Sequence, residues 1–224
     1  MSRSSTTAPS TVVSQAAEID RAVNWVKQAW TEIQNRYPDW RWMRSTFSVN
    51  TPSGDDTYAG TDCTDTRLSA AVSRFSRWWP HDEDGHDNVT FYLTATGVSA
   101  EAYLIFLPWS VFRDRYKKGT QTNAPPIHFT IDPQNNLVLG PKPDAIYTVL
   151  GEYQRSAQTL SADADEPECP SRFHSVIWLE GLKKYAAYKN APEAMSRGIS
   201  DGNKVMRQLE ADQRPEMKTG RPLA

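Results

Sequence analysis

Ala16, Ile19, Val23, Val26, Trp30, Ile33 and Tyr37 follow one another at spacings of 3, 4, 3, 4, 3 and 4, an unbroken apolar seam at the period of a coiled coil. Ser14 stands where an N-cap belongs, Glu18 and Asp20 put negative charge into the opening turns, and Pro38 disfavours helical geometry at Tyr37. The pattern predicts a helix over 14–37. Near the other end Pro170 and Ser171 prepare a second helix, 171–190. On a wheel Arg172, Glu180, Lys183 and Lys184 crowd one narrow side, while Ile177, Trp178, Leu179, Leu182, Tyr185 and Tyr188 sweep the rest. A last helix opens at Pro192, with Met195, Ile199, Gly202, Met206 and Leu209 at spacings of 4, 3, 4 and 3.

Between these helices the pattern changes to alternation. In "IHFTI" Ile127, Phe129 and Ile131 point one way and His128 and Thr130 the other; "LVLGP" and "IYTVLGEYQ" follow after the turns "DPQNN" and "KPDA". These three segments read as an antiparallel meander, which "NVTFYLT" and "EAYLIFL" extend. "WSVFRDRYKKG" reads as a short helix closed by Gly119. Pro52, Gly54 and Gly60 break 39–66 into a short strand and a long exposed loop, and 67–79 reads as strand or irregular structure. The expected class is α+β: the N-terminal and two C-terminal helices form a helical part, with a central antiparallel β-sheet domain and flexible terminal arms. The boundaries are an arm over 1–12, a helix over 13–38 that joins the helices of 171–212, a β-rich part over 39–170, and an extended tail over 213–224.

Composition narrows what such a fold does. Lys and Arg total 25 against 27 Asp and Glu, so no global basic field holds nucleic acid. Eight Trp and nine Tyr suit a core and equally suit a contact between subunits. Cys63 and Cys169 lie in polar, turn-like surroundings and read as free thiols, a disulfide being the other reading. The longest apolar run, "AYLIFLPW", falls short of the roughly 20 residues of a membrane span. With no signal peptide, synthesis in the cytoplasm is expected.

Candidate chemistry is sparse. "HDEDGHD" (81–87) gathers His and carboxylates, but its spacing fits neither a zinc nor a calcium site, and a solvated turn is the simpler reading. The carboxylates of "SADADEPE", Asp163, Asp165, Glu166 and Glu168, invite an acid–base reading, yet small residues and prolines surround them. His128 and His174 stand alone, and no nucleophile elbow or phosphate loop is present. No catalytic residue, metal ligand or cofactor is expected. The striped helices leave two readings: they cover one another and the sheet, or they seek partners, since large exposed apolar patches are rarely tolerated on a monomer.

The run "LVLGPKPDAIYTVLGEYQRSAQTLSADADEPECPSRFHSVIWLEGLKKYAAYKNAPEA" resembles the adaptor, or head-to-tail connector, proteins of tailed bacteriophages. Pro141, Pro143, Tyr147, Tyr153, Leu160, Asp163, Asp165, Pro167, Pro170 and His174 fall in the family's order, and "LPWSVFRDRYKKG" and "QLEADQRPEMKTGRPLA" are also similar to it. The likeness spans most of 100–224; 39–99 resembles the family only loosely.

The resemblance implies a structural virion protein at the head–tail interface. It would form a dodecameric ring docked under the portal, joined to a downstream tail or nozzle protein. Double-stranded DNA would pass through the channel unread, and no membrane would be involved. Candidates for subunit or portal contact are Ile19, Val23, Val26, Trp30, Ile33, Trp178, Leu182, Tyr185, Met195, Ile199, Met206, Leu209, Lys218 and Arg221. Pro141, Pro143, Asp163, Asp165, Pro167 and Pro170 would shape the loops. Two other readings stand beside it: a metal-dependent hydrolase or nuclease of the assembly pathway using the acidic loop, and a tail-completion or chaperone-like factor that does not stay in the particle.

Overall fold

The computed structural model describes Thr11 and residues 17–214. The expected arms, the Ser14 cap, Ala16, Lys218 and Arg221 lie outside those residues. The chain opens with α1 (Ala17–Asn35). It then lays down β1 (Arg44–Thr51), β2 (Thr57–Tyr58), β3 (Thr64–Asp65), β4 (Ala70–Ala71), β5 (Arg77–Trp79), β6 (Thr90–Leu93), β7 (Ala102–Tyr103) and β8 (Ile105–Phe106). Helix α2 (Trp109–Tyr116) precedes β9 (His128–Ile131), β10 (Leu137–Gly140) and β11 (Tyr147–Gln154), and α3 (Ser175–Lys189) and α4 (Pro192–Gln213) close the series. The fold is α+β. Residues up to Trp42 and from Ala157 onward form one compact unit, and Met43–Ser156 forms the other.

In the β unit, β11 is the spine. It pairs with β1 over the whole length of both strands, from Arg44 opposite Gln154 to Thr51 opposite Tyr147, while its other edge is shared by β6 and β5. The first sheet runs β4-β3-β1-β11-β6-β7, and the second β2-β10-β9-β8. The expected three-strand meander is therefore corrected: β9 and β10 pair, but β11 leaves them for the other sheet. Its cause lies at the corner "GPKPDA". Neither Pro141 nor Pro143 has an N–H to donate to a ladder, and Pro143 is buried with its carbonyl accepting the N–H of Gly54 at 2.7 Å. "EAYLIFL" also divides, β7 going to the first sheet and β8 to the second, where it lies parallel to β9.

The long exposed loop expected over 39–66 is corrected as well. Ser45, Phe47, Val49 and Thr51 alternate inward along β1, and Trp40, Trp42, Tyr58 and Cys63 are buried. Small polar residues at two of the four inward positions of β1 hide its alternation from a hydropathy reading. Phe47, Trp78, Leu104, Phe129, Leu137, Leu139, Val149 and Tyr153 make one core. Each such side chain contributes about 1.5–3 kcal/mol relative to exposure. Gly151, paired with Phe47, keeps that ring in place: a Cβ there would stand 2.8 Å from it.

In the helical unit, α3 packs on both α1 and α4. Helix α1 ends at Asn35, two residues before its expected stop, and the chain turns so that Trp40 stacks on Trp42 at 4.3 Å, with its indole N–H donating to the Ile33 carbonyl. Along α4 the inward line is Gly198, Gly202, Met206 and Leu209, rather than one through Met195 and Ile199. The two glycines allow close approach: a Cβ on Gly198 would lie 2.9 Å from Lys183 Cγ and 3.3 Å from the Leu179 carbonyl.

Candidate functional site

The interface candidates divide by burial. Trp30, Ile33, Met206 and Leu209 are buried in the helical unit's own core, so in this state they are not offered to a partner. Ile19, Val23, Leu182 and Met195 are partly covered. Val26, Trp178, Tyr185 and Ile199 are exposed, Trp178 at 45% and Ile199 at 46%. Trp178, Leu182 and Tyr185, at i, i+4 and i+7, form one stripe along α3. The Arg197 guanidinium of α4 sits 5.6 Å from the centre of the Trp178 ring, and Tyr185 packs edge-on against Trp25. Both rings are thus held by neighbours while a large part of each faces outward.

The acidic crossing from sheet to helix is a built loop. The Asp165 carboxylate accepts the N–H groups of Ser161 (2.6 Å) and Ala162 (2.7 Å) and the Ser161 hydroxyl (3.2 Å). The Ala162 and Ser161 amides, with Lys27 nearby, hold its carboxyl below the ordinary carboxylate value. Asp163 is exposed. His174 Nε2 lies 3.1 Å from the Pro167 carbonyl and 3.0 Å from that of Cys169. Both are acceptors, so this nitrogen carries the proton and ties the proline-bracketed end of the loop to the start of α3.

Sequence reasoning missed the centre of this loop. Gln34 is 1% exposed; its Oε1 accepts the Gln158 N–H at 2.7 Å, and its Nε2 donates to the carbonyls of Gln158 and Trp30. Gln158 Oε1 in turn accepts the Trp30 indole N–H and the Glu168 N–H, and its Nε2 donates to the Glu166 carbonyl. A glutamine in an amphipathic helix carries no signal by itself. The available clue was its place beside Ile33, on the seam face.

Asp165→Ala is expected to speed amide exchange at Ser161 and Ala162 several-fold while leaving the far-ultraviolet dichroism unchanged. Unaltered exchange there would remove the carboxylate's turn-holding role. Because Asp165 titrates below its ordinary value of 3.8, its contribution to the turn is present above that value and is lost as pH falls through the depressed one.

The other chemical candidates have structural contacts of their own. Asp82, Asp84 and His86 come within metal-binding reach of one another, all exposed, but Asp82 Oδ1 accepts the N–H groups of Asp84 and His86 and so closes a turn at Gly85. Cys63 and Cys169 are free and, contrary to the polar setting expected, buried. Burial pushes both thiols up to about 12, far from a reactive thiolate. No helix among the described residues is long and apolar enough to cross a membrane.

The helical unit thus carries an outward aromatic stripe, and the acidic clusters at Asp82 and Asp165 bond backbone amides of their own turns. Residues 5–222 match the family model of the SU10 adaptor protein, and the chain belongs to that family of bacteriophage structural adaptors. No curated protein matches the chain in sequence.

Proposed function

We propose that the protein is a head-to-tail adaptor that closes into a dodecameric ring, docks under the portal and joins it to a tail protein, with DNA passing through unread. The observation that carries this reading is the family match over nearly the whole chain, and the exposed stripe Trp178–Leu182–Tyr185 supports it. A net charge of −2 suits a conduit, because each strong phosphate contact would retard passage. The stripe meets a different surface of the next copy, the heterologous contact from which closed rings are made.

The test is the native mass of the protein alone and with portal rings, for the wild type and Trp178→Asp/Tyr185→Asp. Buried aromatic anchors are commonly worth about 2 kcal/mol or more each. The double variant is therefore expected to lose assembly at least tenfold while keeping wild-type dichroism. A wild-type chain that stays monomeric and ignores the portal ring would refute the reading.

A further inference from the structure

A groove of about 320 Å³ lies in the helical unit between α1 and the acidic crossing. One wall is Ala22, Val23 and Val26; the other is Leu160 and Ala162 from the acidic crossing, with the carboxylates of Asp163 and Asp165 and the Lys27 ammonium at its rim. Its lining is apolar and its rim has an excess of negative charge.

A segment of matching character lies beyond the described residues: 217–223, "MKTGRPL", which sets two cations, Lys218 and Arg221, between the apolar Met217 and Leu223. The described chain ends beside Tyr37, just past the C-terminal end of α1, whereas the groove lies over the middle turns of that helix. At the chain's end the Arg214 guanidinium rests 4.3 Å from the centre of the Tyr37 ring, and Glu210 accepts the Tyr37 hydroxyl. The Arg214 backbone is extended (φ −88°, ψ 146°), as suits the residue before Pro215.

The groove lies about 14–18 Å from the end of α1, measured along the helix axis. Residues 215–224 reach at most about 36 Å when extended. The segment is therefore long enough to meet the groove of its own chain or that of an adjacent copy, and the ring reading above selects the adjacent copy. We propose that residues 217–223 of one copy occupy the α1–Leu160 groove of the next, with Met217 and Leu223 against the apolar walls and Lys218 and Arg221 against the Asp163 and Asp165 rim. This rests on the ring reading above and names the link between neighbours: each copy supplies one segment and one groove, so the contact repeats around the ring.

Two full-length variants test it. A groove variant, Ala22→Arg, places bulk and positive charge on an exposed helical position; a segment variant carries Lys218→Glu, Arg221→Glu and Leu223→Asp. Sedimentation of each alone is expected to show self-association weakened at least tenfold relative to the wild type. An equimolar mixture is expected to form a heterodimer, because an intact segment then meets an intact groove. A mixture no more associated than its components, or variants that assemble like the wild type, would overturn the proposal.

A fluorescent peptide of residues 215–224 gives an independent arm that needs no portal. It is expected to bind the segment variant, and to bind at least tenfold more weakly when Ala22→Arg is added. Absence of binding, insensitivity to Ala22→Arg, or preferential binding of a peptide of residues 1–16 overturns it. Should the segment variant form wild-type rings on the portal, the groove inference fails and the adaptor reading stands; should the wild type ignore the portal while the peptide binds its groove, the reverse holds.

Discussion

Asp65→Ala is expected to cost about 3–4 kcal/mol of folding stability, because four donors lose their acceptor inside the β unit. Asp65 is 1% exposed; its Oδ2 accepts the hydroxyls of Tyr153 (2.6 Å) and Ser45 (2.9 Å), and its Oδ1 accepts the N–H groups of Arg67 (2.9 Å) and Leu68 (3.0 Å). Burial by itself would raise this carboxyl, but the bonds from Tyr153, the Leu68 amide, Ser45 and the Arg67 amide outweigh it and hold the group below its ordinary value of 3.8. Burial and the adjacent carboxylate both push the Tyr153 hydroxyl up, which keeps it a donor.

The pH dependence follows from the same bonds. A depressed carboxyl contributes its stability in full above the unfolded value and loses it as pH falls through the folded one. The gap between wild type and Asp65→Ala in urea denaturation should therefore be widest near neutrality and narrow below about pH 4. Asp65→Asn keeps acceptance from the two amides and should lie between them. A loss under about 1 kcal/mol for Asp65→Ala would mean that water or a shifted loop satisfies all four donors.

Most of the helical architecture was legible in the sequence because long amphipathic periods report directly on burial. The seam of α1 was read at a strict heptad period. In the structure the buried line near its C-terminal end is Ala29, Trp30, Ile33 and Gln34, whereas Val26 turns outward, as an uncoiled helix drifts from such a repeat. On α4 the expected line through Met195, Ile199, Gly202, Met206 and Leu209 holds from Gly202 onward, but one turn earlier the inward position is Gly198, whose packing value is its missing side chain. In the sheets, short-range alternation gave β9, β10 and β11 individually. It could not give their partners, because pairing is a long-range choice settled by the Pro141–Pro143 corner and by the match of β11 to β1. Of the site, the exposed aromatics of α3 and the Asp165 loop could be read, and the Gln34–Gln158 hub could not.

That hub yields the second large effect. Gln34→Ala is expected to destabilise the helical unit by about 2–3 kcal/mol, since it strips the Gln158 N–H and carbonyl of buried partners and leaves a void beside Trp30. Gln34→Glu, nearly isosteric, keeps the acceptor but sets an oxygen against two carbonyls, those of Trp30 and Gln158. It should therefore be worse than its size suggests at neutral pH and recover as acid protonates it. The effect should also be local. The Gln158 side chain gathers the Trp30 indole, the Glu168 amide and the Glu166 carbonyl, so releasing its backbone frees the crossing that ends at the Leu160 wall. Hydrogen exchange in Gln34→Ala should rise most over 158–168 and in the last turns of α1, with β1 and β11 unchanged. Uniform acceleration across both units would instead show that the loop has no cooperativity of its own, and that the surface it shapes is set by the global fold.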